Sequence, residues 1–131
     1  MLLDTSGILC CCDPGERRHG AAVDAYGKSK TRVTHNYVLA EFVALAESRR
    51  QPRKAFLTTM VEIVTDPKIE VVWVDRNLHH EAMKLLLSQL DKTYSLCDAV
   101  SFLLMRQHSI QEALTTDHHF EQAGFVRLLD R

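Results

Sequence analysis

The chain has 131 residues, enough for one domain with a single core and little room for a second. With 46% hydrophobic and 25% charged residues and only 3 Pro and 5 Gly, the composition excludes disordered and fibrous classes and leaves an ordinary globular protein. Lys plus Arg total 16 against 17 Asp plus Glu, so there is no global positive field for nucleic-acid binding, and any such contact falls to local basic patches.

Leu2 and Leu3 predict a short apolar strand ending at Asp4, and Thr5 to Cys12 predicts a helix stopped by Asp13-Pro14-Gly15. A helix over about Glu16 to Tyr26 is expected to break at Gly27, before a second strand over Thr31 to Thr34. Val38, Phe42, Leu45 and Ala46 form an apolar stripe on a helix spanning about Asn36 to Arg49. Pro52 suits the start of the next helix, carried by Phe56, Met60, Ile63 and Val64 and ended by Asp66-Pro67. Ile69 to Val74, rich in β-branched residues, is the strongest strand signal. Asp75 is expected to cap a helix to Leu90, and Ser95 to open one through Val100 and Leu104. Ala113 to Thr116 and Val126 to Leu129 read as the last two strands. Alternating strands and helices imply βαβ crossovers and a mostly parallel sheet covered on both faces.

Cys10, Cys11, Cys12 and Cys97 match neither a disulfide framework nor a C-x-x-C zinc pattern, which predicts a reducing compartment. No apolar run approaches the roughly 20 residues of a membrane span, so a soluble cytoplasmic protein with no membrane contact is expected. The basic patches are Arg17 and Arg18, then Lys28, Lys30 and Arg32, then Arg49, Arg50, Arg53 and Lys54. Each fits a solvated charged face as well as an RNA contact.

Four acids stand out by position. Asp4 and Asp117 follow strands, where open parallel sheets bind ligands. Asp98 lies in the first turn of the helix leading to the strand before Asp117, and Glu41 shares a helix face with apolar residues. Singly, each has a plain structural reading: Asp4 and Asp117 as N-caps, Ser95-x-x-Asp98 as a capping box, Glu41 as a side chain reaching water. Together they can converge on one pocket, where carboxylates repel unless a cation joins them. Hard ions such as Mg²⁺ or Mn²⁺ take oxygen ligands, and they activate water and neutralise phosphate charge in phosphodiester hydrolysis.

The segments LLDTSG with Asp4, HNYVLAEFVAL with Glu41, YSLCDAVSFLLM with Asp98 and LTTDHHFEQAGF with Asp117 resemble the PIN-domain family, and within it the VapC-like toxin ribonucleases. The resemblance spans nearly the whole chain and includes Ser95, Ser101, Phe120, Gly124 and Phe125. It implies a single PIN domain over residues 1–131, built as a three-layer α/β/α sandwich with a central, mostly parallel sheet. It also implies a Mg²⁺- or Mn²⁺-dependent ribonuclease, with Asp4, Glu41, Asp98 and Asp117 as catalytic metal-site residues and Thr5 and Thr116 as hydroxyls positioning water or substrate. The implied partners are RNA, a cognate antitoxin protein and a second copy in a homodimer. Where many toxin relatives carry further acids after the third, this chain has Ala99, Val100, Ser101 and Phe102. The alternatives are an RNA-processing PIN nuclease outside a toxin–antitoxin pair and a non-catalytic PIN-like binding module.

His118 and His119 read as solvated residues of a helix start that can also reach phosphate or accept a proton. No His pair has the i, i+4 spacing of a zinc site, so catalytic zinc is not expected. Tyr94 is the aromatic best placed to stack on an unpaired base, with core packing as the plainer reading. A phosphoacceptor domain built on Asp75 lacks its late-strand lysine, Asp4-Thr5-Ser6 lacks the second carboxylate of aspartyl-phosphate phosphatases, and there is no P-loop.

Overall fold

The computed structural model describes residues 1–130. Its strands are β1 (Leu2–Leu3), β2 (Arg32–His35), β3 (Ile69–Val72), β4 (Glu112–Leu114) and β5 (Val126–Arg127). Its helices are α1 (Thr5–Cys12), α2 (His19–Lys28), α3 (Asn36–Ser48), α4 (Arg53–Thr65), α5 (Arg76–Ser88), α6 (Leu96–Gln107) and α7 (His119–Gln122). The strands form one sheet in the order β3-β2-β1-β4-β5, with each described pair parallel. The expected α/β/α sandwich is the observed architecture.

The layers follow from the two-residue period of strands. Leu3 and Leu114 point to the face packed by Ile8, Leu9, Val38, Phe42, Phe56 and Ile63. Leu2 and Ala113 point to the opposite face, against Phe102, Met105, Phe120 and Phe125. Ala82 of α5 closes on Ala99, Val100 and Leu104 of α6. β1 is therefore central and apolar on both sides, as parallel strands under two helical layers must be. From β1 the chain crosses to β2 and β3 on one side, then returns past β1 to β4. The order thus reverses between β1 and β4, and the crevice at their carboxyl ends is the topological switch point.

Several boundaries differ from the expected ones for identifiable reasons. β4 stops at Leu114 rather than Thr116 because its partner β1 stops at Leu3, where the chain turns into α1. β3 stops at Val72, paired to His35, and Val74 N–H then donates to Asn36 Oδ1 at 2.6 Å instead of continuing the ladder. β5 ends at Arg127, two residues before the expected Leu129. Gly27 does not break α2, which runs to Lys28 and ends where Ser29 turns extended. That helix starts at His19 rather than Glu16, because residues 13–18 are spent in turns, with Gly15 N–H donating to Asp13 Oδ1 at 2.9 Å. Asp75 does cap α5, accepting Leu78 N–H at 2.8 Å. The four cysteines are free thiols, and burial pushes that of Cys11 up to about 12. Among the described residues no helix is long and apolar enough to cross a membrane.

Two glycines are required by geometry. At Gly124, φ is +95°, which closes α7 so that Phe125 N–H donates to Phe120 O at 2.9 Å and the Phe125 ring stacks on Phe102 at 5.7 Å. At Gly7 a Cβ would stand 1.9 Å from the Leu114 carbonyl oxygen, so only glycine lets α1 approach β4 this closely. Gly7→Ala is expected to cost about 3 kcal/mol or more in urea unfolding, because the obstacle is backbone. Gly20→Ala, where a Cβ meets open space in α2, is expected to be neutral or stabilising by up to about 1 kcal/mol.

Candidate active site

Three of the four acids meet at the switch point because a strand or helix ends there. Asp4 terminates β1 and occupies the N-cap position of α1, yet its side chain makes no capping bond and is buried. It turns instead toward β4, where Thr115 Oγ1 donates to Asp4 Oδ2 at 2.7 Å. Thr115 Oγ1 also accepts Asp117 N–H at 3.0 Å and lies 3.2 Å from Ser6 Oγ, which accepts Thr116 N–H at 2.9 Å. The N-cap reading of Asp4 is thereby corrected: its carboxyl belongs to the crevice.

Asp98 does form the expected capping box. Asp98 N–H donates to Ser95 Oγ and Ser95 N–H donates to Asp98 Oδ2, each at 3.0 Å. The box uses one carboxylate oxygen, and among the described residues Oδ1 accepts no protein hydrogen bond, so capping leaves that oxygen uncommitted. Asp117 sits half-buried one strand away, with Oδ1 accepting His119 N–H at 2.9 Å. Glu41 stands at the solvent edge of the buried α3 stripe of Val38 and Phe42.

Electrostatics tie these groups together. Burial pushes the Asp4 carboxyl up to about 7, the charges of Asp98 and Glu41 push the same way, and the Thr115 hydrogen bond opposes them. Asp98 is also raised, first by burial and further by Asp117, against its bonds to Ser95. The buried Cys97 thiol is raised by burial and by Glu41, Asp4 and Asp98. Each acid therefore bears on at least one other, in a crevice short of positive charge. They do not close into one tight set: among the described residues, the group of three ligand-bearing side chains within 4.8 Å of one another is Asp117, His118 and His119.

Thr5 Oγ1 is buried and has no hydrogen-bond partner among the described residues. Thr116 contributes only backbone atoms to the hydrogen bonds, its carbonyl accepting from Arg127 at 3.1 Å. The hydroxyl on Asp4 is that of Thr115, which two identical neighbouring letters cannot reveal. The sequence reading also missed His35. Fully buried at the end of β2, it bonds Ser101 Oγ through Nε2 at 2.8 Å and is held neutral down to about 4 by burial. This contact explains Ser101 in the α6 motif. His118 is exposed as expected, but His119 is not: its ring is wedged beside Asp98 and Asp117, edge-on to Tyr94 at 5.7 Å. Tyr94 packs edge-on against Phe102 at 5.0 Å, a core contact. Of the basic patches, Lys28 pairs with Asp24, Arg49 with Glu16 and Arg53 with Glu47.

A pH dependence follows from the raised Asp4 carboxyl. Asp4 titrates near 3.8 when unfolded and about 7 when folded, so between those values the folded state holds the extra proton. Stability from this group is present at low pH and lost as pH rises through the folded value. Asp4→Asn cannot ionise, so in chelator it is expected to gain on the wild type by on the order of 3 kcal/mol between about pH 4 and about pH 8. Urea titrations at both ends measure this; an unchanged difference would mean that the Asp4 charge is relieved some other way. His35 acts oppositely, costing stability as pH falls below 6.5, but it is common to both proteins and cancels.

Residues 1–126 match the family profile described as PIN domain. A relative from Mycobacterium tuberculosis strains CDC 1551 and H37Rv, the 23S rRNA-specific endonuclease VapC20, is 33% identical over 129 residues, spanning 98% of this chain and 97% of its own. The crystal structure of M. tuberculosis VapC20, described as a Sarcin-Ricin loop cleaving toxin, superposes with a TM-score of 0.86 at 32% identity, covering 95% of each chain.

Proposed function

The chain belongs to the PIN-domain family, and from that premise we propose that it is a metal-dependent ribonuclease that hydrolyses RNA phosphodiester bonds as the toxin of a toxin–antitoxin pair. The observation that carries the metal requirement is the Asp4 carboxyl, buried at the switch point and pushed up to about 7 with Asp98 and Glu41 adding to the burden. A divalent cation is the chemical group that relieves such repulsion, and a carboxylate-rich donor set fits Mg²⁺ or Mn²⁺. Asp4, Glu41, Asp98 and Asp117 would hold it. When bound, the ion activates water near neutral pH and neutralises charge on the scissile phosphate.

The protein's own contribution is positioning. Thr115 fixes the Asp4 carboxyl through a 2.7 Å bond, and Ser95 fixes Asp98 while leaving Oδ1 free. The buried, unpartnered Thr5 hydroxyl supports a role in orienting water or a phosphate oxygen. Among the described residues the Thr116 side chain makes no hydrogen bond, which leaves its hydroxyl uncommitted for the role of positioning water or substrate. The resemblance to VapC20 makes a 23S rRNA sarcin–ricin loop oligonucleotide the first substrate to offer. Exposed apolar stripes at Leu57, Val61 and Val64 of α4, and at Met83, Leu87 and Leu90 on and just after α5, support docking of an antitoxin and of a second copy.

Purified protein is expected to cut RNA with Mg²⁺ or Mn²⁺ and to stop with excess chelator. Asp98→Asn keeps an acceptor for Ser95 N–H and removes a carboxyl whose ionisation burial opposes, so it should melt no lower than the wild type in chelator while losing at least about 100-fold in cleavage rate. Cleavage surviving in both chelator and the variant would sink the metal reading. Mn²⁺ is also expected to raise the wild-type melting temperature by mass action, and to raise that of Asp98→Asn less.

A further inference from the structure

His119 is held at the carboxylate cluster by contacts on both sides of its ring. Nε2 lies 2.8 Å from Thr93 Oγ1, and the ring edge packs on Tyr94. Nδ1 is buried, 2.8 Å from Asp117 Oδ1 and 3.9 Å from Asp98 Oδ2, yet among the described residues it makes no aligned hydrogen bond. Asp117 Oδ1 already accepts the His119 backbone N–H.

A ring nitrogen between two carboxylates either donates a proton or offers a lone pair to a cation. The donor role is poorly served, because the close Asp117 oxygen lies off the direction of a ring N–H. The lone-pair role needs the other ring N–H to be given to an acceptor, as in metal-ligating histidines generally, and Thr93 Oγ1, 2.8 Å from Nε2, is able to accept it. Ligands in cis positions around an ion at about 2.1 Å stand roughly 3 Å apart, close to the separation of Nδ1 and Asp117 Oδ1.

We propose that His119 Nδ1 is a nitrogen ligand of the cation held by Asp98 and Asp117, with its ring oriented by Thr93, and that it biases the site toward Mn²⁺ over Mg²⁺. Imidazole binds first-row transition ions well and Mg²⁺, which prefers oxygen, poorly. The inference rests on reading the carboxylate cluster as a metal site.

Calorimetric titration of the full chain with Mn²⁺ and with Mg²⁺ tests it. His119→Ala is expected to weaken Mn²⁺ binding roughly tenfold or more while changing Mg²⁺ binding less than about threefold, and Thr93→Val to weaken Mn²⁺ binding in the same direction by less. Equal losses for both ions, or no loss, overturn the proposal. Pulsed electron paramagnetic resonance of Mn²⁺-loaded wild type gives a readout independent of how the variants fold. A directly coordinated imidazole nitrogen is expected, retained in His118→Ala, and an all-oxygen shell overturns the assignment. Wild type that binds neither ion overturns the metal-site reading as well, whereas Mn²⁺ and Mg²⁺ bound through oxygen alone leave that reading standing and remove only the role of His119.

Discussion

A carboxylate at the end of a strand covered on both faces loses its water, and among the described residues no ion pair returns a counter-charge to Asp4. What the fold supplies is a hydroxyl: Thr115, carried past the end of β4, donates to Asp4 and accepts from the Asp117 backbone. That single hydroxyl joins the ends of two neighbouring strands. It depends in turn on α1 lying close enough to β4 for Ser6 to reach Thr115 and Thr116, an approach that Gly7 alone permits. A local backbone choice, a glycine without a Cβ, therefore sets the geometry of a charged group several residues away.

The same crevice shows how one residue meets two demands. Asp98 completes a capping box on α6, which stabilises a helix whose residues Cys97 to Phe102 are all buried. Because the cap occupies only Oδ2, the helix fixes the carboxylate rather than consuming it. The α6 motif is also anchored from below by Ser101, whose hydroxyl meets the buried His35 at the end of β2. The site thus draws its rigidity from the core on both sides: Leu3 and Leu114 on one face, Phe102 and Phe120 on the other. Tyr94 and His119 extend the second cluster to the crevice, so α7 is held by aromatic packing rather than by its own four residues.

Much of this was legible in the sequence because its signals are local. The two-leucine strand before Asp4, the β-branched run from Ile69, the Asp75 cap and the Ser95–Asp98 box each rest on neighbours within one turn or one strand, and each is present. Strand ends were less legible, since a strand lasts only as long as its partner does: β3 and β4 stop where β2 and β1 stop. The family motifs placed Asp4, Asp98 and Asp117 in order, and the sheet order brings their elements to one crevice.

Local pattern by itself determined the class of fold, the capped helix starts at Asp75 and Ser95 and the positions of the acids, because periodicity and capping are interactions between residues close in the chain. Only the tertiary structure decided which of two adjacent threonines faces Asp4, that Asp4 is a buried crevice group rather than a cap, and that His119 is enclosed while His118 is not. Those outcomes turn on contacts between residues about 26 to 111 positions apart, whose distances exist only after the sheet has set β1 beside β4.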